Sequence, residues 1–251
     1  MSLERLVIFD TTLRDGEQAA GGALTLEEKV EIGRQLQKLG VTVIEAGFPS
    51  TSPGDFEAVQ FMSREFRDVE IAALSGFKED QLIRTWEALQ DAERPLLHTV
   101  ISTSDIHIEQ QLHMTRTELI DLTDRTVTIA RNMAPHVEFS TMDATRSDRD
   151  FVVEVLSTAI KAGATIVNIP DTVGYSMPSE FGDLVSYCMD NVAGIEDVIV
   201  SVHCHDDLGH AAANSLAGVL RGVTQVECTI NGVGERAGNA ALEEIVMALR
   251  T

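Results

Sequence analysis

Short apolar runs rich in β-branched residues alternate with longer amphipathic segments from one end of the chain to the other. The runs fall at 6–9, 41–44, 69–72, 97–101, 137–140, 165–169, 198–202 and 226–230. Strands of a parallel sheet covered by helices read this way, because neither face meets water and no polar alternation is needed. Helical spacing fills the gaps. Thr25 followed by Glu28 is a capping-box signature, Val30, Ile32, Leu36 and Leu39 keep one face, and Gly40 ends the segment. Further helices are predicted near 54–65, 79–90, 116–132, 148–162, 178–190, 209–221 and 239–250, with Pro53 and Pro178 near two of the starts, where a missing amide costs least.

Eight strand–helix units in 251 residues, with no linker or low-complexity stretch between them, predict an α/β fold: one (β/α)8 TIM barrel spanning 1–251 as a single catalytic domain. A doubly wound open sheet is the second choice, disfavoured because no glycine-rich fingerprint follows the first strand. No C-terminal regulatory domain is expected in this chain.

Composition narrows the setting. The formal net charge of −21, from 40 acidic and 19 basic residues, opposes nucleic acid and anionic membranes. Three cysteines without C-x-x-C spacing suit a reduced, cytoplasmic protein. Residues 1–5 carry no basic region leading into a long apolar run, so no signal peptide is expected, and no stretch approaches the length of a membrane span.

A barrel gathers its chemistry at the C-terminal ends of its strands. The polar residues follow that rule: Arg14 and Asp15 after the first run, Glu45 after the second, His98 in the fourth, Ser140 in the fifth, Thr172 after the sixth, His203 and His205 at the seventh, and 231–239 after the eighth. His203 and His205 lie two apart, so on an extended strand they share a face and Cys204 takes the other. With a carboxylate and an amide oxygen they could form a mixed nitrogen and oxygen shell open to substrate, suited to Mg²⁺, Mn²⁺ or Zn²⁺. Spacing alone does not choose Asp15 over Asp10, Asp206 or Asp207, and the last two could equally cap the following helix.

Four segments carry a more specific signal. The stretches 10–18 (DTTLRDGEQ), 45–49 (EAGFP), 203–209 (HCHDDLG) and 231–239 (NGVGERAGN) resemble the 2-isopropylmalate synthase family, in order and across the whole chain. That family sits among acyl-CoA condensing and cleaving barrels, the DRE-TIM metallolyases, with homocitrate synthase, citramalate synthase and hydroxymethylglutaryl-CoA lyase. The resemblance implies a divalent-metal-dependent Claisen condensation of acetyl-CoA with a 2-oxo acid, favouring 2-oxoisovalerate, in leucine biosynthesis. It implies Asp15, His203, His205 and Asn239 around the metal, Asn239 directly or through water. Arg14 is implied as the stabiliser of the developing alkoxide and Glu45 as its holder. Leu74, His98, Ser140 and Thr172 are implied as lining the oxo-acid site. Gly232 and Gly234 either approach CoA or simply permit tight turns. A homodimer is implied as well.

Two departures qualify the resemblance. The family usually has a glutamate two residues after the strand-five serine, where this chain has Met142, which can neither accept a proton nor bind a charged group. Either Asp143 or another residue compensates, or substrate choice is shifted, or catalysis is impaired. The family also continues into a lid-like linker and a leucine-binding domain, so a chain ending at Thr251 is expected to lack feedback inhibition by leucine. A lyase of the hydroxymethylglutaryl-CoA type would carry a cysteine in the last loop, and 231–239 has none. A catalytically impaired barrel that binds metal or acyl-CoA is the alternative of another class.

Overall fold

The computed structural model describes residues 6–251. Residues 1–5, on which the expectation of no signal peptide rests, lie outside them. Eight parallel strands close into a barrel in sequence order: β1 Val7–Asp10, β2 Val43–Glu45, β3 Glu70–Ser75, β4 Pro95–Ser102, β5 His136–Met142, β6 Ile166–Asp171, β7 Ile199–Cys204 and β8 Gln225–Cys228. β1 pairs with β8 from Val7↔Gln225 to Asp10↔Cys228, which completes the ring. Every predicted run overlaps a strand, and the predicted barrel is the observed fold.

The helices outside the barrel are α1 Leu26–Leu39, α2 Pro53–Glu65, α3 Glu79–Leu89, α4 Asp105–His107, α5 Arg116–Met133, α6 Arg149–Ala162, α7 Pro178–Asn191, α8 Ala211–Val219 and α9 Leu242–Arg250. Local chemistry sets their ends. Thr25 accepts from the Glu28 amide while Glu28 returns a bond to the Thr25 amide, and Gly40 closes α1 at φ 90°. Thr115 and Glu118 repeat the arrangement on α5. The short α4, continued by a π-helical turn at Ile108–Leu112, was not predicted, because its polar sequence reads as a loop. Among the described residues no helix is long and apolar enough to cross a membrane.

The main apolar layer lies between the sheet and the helices. A smaller cluster of Phe9, Val43, Ala72, Leu96 and Ile166 plugs the barrel from within. These inward positions share parity with His98, Asn168, His203 and Glu227 further along the same strands and their neighbours. The interior thus changes from apolar at its base to polar toward its C-terminal mouth.

Candidate active site and metal centre

The mouth opens into a cleft of about 290 Å³, whose lining includes Arg14, Asp15, Leu74, His98, Ser140, Met142, Thr172, His203 and His205. Strand alternation delivers most of them: one inward side chain every second residue on β4, β5, β6 and β7. Arg14 and Asp15 arrive on the turn after β1, where the Asp15 amide donates to Thr11 O at 2.8 Å. That turn is pinned from three sides. Thr11 donates to Glu45 at 2.6 Å, Thr12 Oγ1 accepts from the Ile230 amide at 2.9 Å, and the buried Lys29 ammonium reaches Leu13 O at 3.2 Å.

Asp15, His203 and His205 converge. Asp15 Oδ2 lies 3.3 Å from His203 Nε2 and 3.2 Å from His205 Nε2, and the two imidazole nitrogens are 2.9 Å apart. The opposite ring nitrogens are both committed: His203 Nδ1 donates to Glu227 Oε2 at 2.9 Å, and His205 Nδ1 to Thr172 O at 2.7 Å. Arg236 Nη2 sits 2.7 Å from the same His205 nitrogen and 2.8 Å from Thr172 O. Two N–H groups cannot bond to each other, so the Thr172 carbonyl is the common acceptor. With both Nδ1 atoms protonated, two Nε2 lone pairs and a carboxylate oxygen face one point. That donor set fits a divalent cation with its outer partners in place.

Without a cation the electrostatics favour an extra proton on His203, which a bound cation would displace from Nε2. Burial pushes the Asp15 carboxyl up, but Arg14 and the two imidazoles hold it well below the usual carboxylate range. Burial pulls the His203 imidazole down, yet its bonds to Asp15 and Glu227 push it up to about 10. Asn239 is brought beside His205 by an antiparallel bridge, and its Oδ1 is buried without a partner among the described residues. Its Nδ2 donates to Val233 O at 3.1 Å.

Beside the triad lies a second connected group. Arg14 Nε donates to Glu45 Oε2 at 2.7 Å and Nη1 to Asp15 Oδ1 at 2.7 Å. Glu45 Oε1 accepts from His98 Nδ1 at 2.8 Å, and His98 Nε2 meets Ser140 Oγ at 2.7 Å. Burial opposes the Glu45 charge, but Arg14 and His98 hold its carboxyl down to about 2. The wall opposite is apolar, from Phe48, Leu74, Val100 and Met142.

Several expectations meet particular outcomes. Asp206 Oδ1 accepts from the Ala211 amide at the start of α8, so it caps that helix, while Asp207 pairs with Arg236. Asp143 does not stand in for a glutamate at 142. It is fully buried at φ 67° and bound to Arg146, away from the cleft that Met142 lines. Gly232 and Gly234 are not among the cleft-lining residues. A Cβ on Gly232, at φ 65°, would meet Asn239 O at 2.7 Å, and one on Gly234 would meet Asn239 Nδ2 at 2.2 Å. Packing of the last loop around Asn239 therefore favours glycine at both. Glu227, Glu138, Asn168 and Thr11 escaped the sequence reading, although polar residues of inward parity in otherwise apolar strands were the available signal.

The sequence model of the HMGL-like family matches residues 5–251. The chain belongs to that family. Among curated HMGL-like relatives, the 2-isopropylmalate synthase of Pelotomaculum thermopropionicum is 57% identical over 248 residues, covering 99% of this chain and 49% of that protein. The 2-isopropylmalate synthase of Carboxydothermus hydrogenoformans is 55% identical over 249 residues, covering 99% and 49%. The chain spans about half the length of the curated relatives it matches. Of solved structures, the hydroxymethylglutaryl-CoA lyase of Pseudomonas aeruginosa superimposes with a TM-score of 0.82 at 20% identity, over 98% of this chain and 85% of that one. At that identity the likeness speaks for the fold alone.

Proposed function

We propose that this HMGL-like barrel is the catalytic domain of an acyltransferase that condenses acetyl-CoA with a 2-oxo acid, 2-oxoisovalerate first among them, giving 2-isopropylmalate. The observation that carries the reading is the meeting of Asp15, His203 and His205 beside the Arg14–Glu45–His98–Ser140 network in one cleft. A divalent cation, Mg²⁺, Mn²⁺ or Zn²⁺, would be held by Asp15, His203 and His205 with Asn239 nearby, and would supply Lewis-acid polarisation of the oxo acid.

The chain's own residues do the rest. Arg14 spends Nε and Nη1 on Glu45 and Asp15, which fixes its guanidinium plane and leaves Nη2 for the oxygen where negative charge develops. Glu45 is the positioning group, since its carboxylate also holds His98. His98, Ser140 and Thr172 line the part of the cleft that would take the oxo acid, Thr172 beside His205. Leu74, Phe48 and Val100 give a short aliphatic side chain an apolar wall. Transfer of a methyl proton from acetyl-CoA to a base, attack of the resulting enolate on the keto carbon, protonation of the alkoxide so formed, and hydrolysis of the thioester by water with release of CoA complete the reaction.

In this reading the domain works within a homodimeric, cytoplasmic enzyme of leucine biosynthesis; the 2-isopropylmalate synthases it matches are about twice its length. Purified protein incubated with acetyl-CoA, Mg²⁺ or Mn²⁺ and a panel of 2-oxo acids tests the reading through release of free thiol. Release that depends on one oxo acid supports the synthase. Met142 in the cleft wall favours a second reading, a barrel that binds metal and acyl-CoA without turnover, and tight metal binding with no thiol release would establish it.

A further inference from the structure

Directly beneath the cleft the barrel interior holds Glu138, Gln225 and Glu227, all but fully buried. Gln225 Nε2 donates to Glu138 Oε1 at 2.9 Å and to Ser201 Oγ at 3.1 Å. Glu138 Oε2 and Glu227 Oε1 have no hydrogen-bond partner among the described residues. Oxygens of these two carboxyl groups and a nitrogen of His98 lie within 4.8 Å of one another.

A second cation does not explain this cluster, because both His98 nitrogens are already bound, one to Glu45 and one to Ser140. A proton held by one of the two carboxyl groups does. Two carboxylates this close in a dry interior cannot both be ionised. Burial first, and then the charge of Glu227, push the Glu138 carboxyl well above its ordinary range. Glu138 is therefore the acid of the pair. Glu227 is the member that faces His203.

We propose that Glu227 is a positioning residue: by accepting the Nδ1 proton of His203 it turns the Nε2 lone pair toward Asp15 and His205, and Glu138 and Gln225 support it from inside the barrel. This rests on the reading of Asp15, His203 and His205 as a cation site. A charged acceptor behind a histidine ligand fixes the ring and its tautomer and raises its basicity. Glutamine at 227 keeps the shape but replaces a carboxylate acceptor with a weaker amide one. At 138 the same change is nearly isosteric with the acid already there. Two neighbouring Glu→Gln substitutions should thus behave oppositely.

The experiment is calorimetric titration of wild-type, Glu227→Gln and Glu138→Gln proteins with Mn²⁺, alongside thermal unfolding in chelator. Glu227→Gln should weaken Mn²⁺ binding by about 10–100-fold. Glu138→Gln should bind like wild type, and both should unfold within a few degrees of it. In wild-type protein loaded with diamagnetic Zn²⁺, ¹⁵N-histidine spectra should show His203 protonated at Nδ1 and not at Nε2, a readout independent of either variant's folding. Unchanged affinity in Glu227→Gln, equal losses in both variants, or a His203 proton on Nε2 would overturn the proposal. Wild-type protein that takes up neither metal would sink the cation-site reading and this role with it. Uptake by wild type with no effect at 227 would sink the role alone.

Discussion

Arg14 is held at two of its nitrogens by carboxylates that are themselves buried, so its guanidinium arrives at the cleft already oriented. Such preorganisation is worth most where charge develops during reaction. Arg14→Ala is expected to lower kcat by about 10²–10³, the usual loss for one oxyanion donor, with folding retained by circular dichroism. Met142→Glu places a carboxylate against the cleft and should change turnover or the ranking of oxo acids; identical kinetics across the panel would remove Met142 from the account. Asp10 tests the interior instead. Burial is the largest cause that pushes its carboxyl up to about 7, against bonds from Thr12. An acid with a raised pKa binds its proton more tightly when folded, so its favourable contribution is complete below about pH 4 and is lost as pH rises through 7. Relative to wild type, Asp10→Asn should therefore gain stability between pH 5 and 8, measured as Tm across that range; parallel curves would contradict the shift. At this scale the His203–His205 pair was legible because H-x-H on a strand fixes a shared face, whereas only the family resemblance singled out Asp15. Glu138 and Glu227 were not, because one acidic residue inside an apolar run is outvoted by its neighbours unless parity is followed across strands.

The elements explain why the turn after β1 holds still. Lys29, at 3% exposure on α1, bonds Asp55 of α2 at 2.7 Å, pairs with Glu17 and reaches the Leu13 carbonyl. One buried ammonium thus ties two helices to the segment that carries Arg14 and Asp15. Removing one partner from a buried ionic group leaves the others uncompensated. Lys29→Met is expected to cost about 3 kcal/mol in denaturant unfolding and to weaken divalent-metal binding; a loss under about 1 kcal/mol would make the cluster ornamental. Helix ends such as Thr25–Glu28 and Gly40 could be read locally, since capping uses residues three or four apart. Strand ends shifted by one to three residues, as in β3 and β4, because pairing with neighbouring strands far along the chain decides where a strand stops. Ile108–Leu112 had no local signal at all.

Closure of the ring makes the site. Asp15 and His205 are 190 residues apart in sequence and 3.2 Å apart in space because β8 pairs with β1. The order of strands was readable from the alternating pattern, and the barrel rule then told which ends would meet. The distances were not readable, since they depend on barrel register. In a molecule of net charge −21, Arg14 together with a dication at Asp15, His203 and His205 would form the local positive centre that the proposed oxo acid and thioester enolate require. The most direct measurement is thiol release from acetyl-CoA by the wild-type chain with Mg²⁺ or Mn²⁺ and each 2-oxo acid in turn. Release that requires both the metal and 2-oxoisovalerate, and that disappears in His203→Ala, is the predicted result. Metal bound tightly with no thiol released for any oxo acid would contradict it.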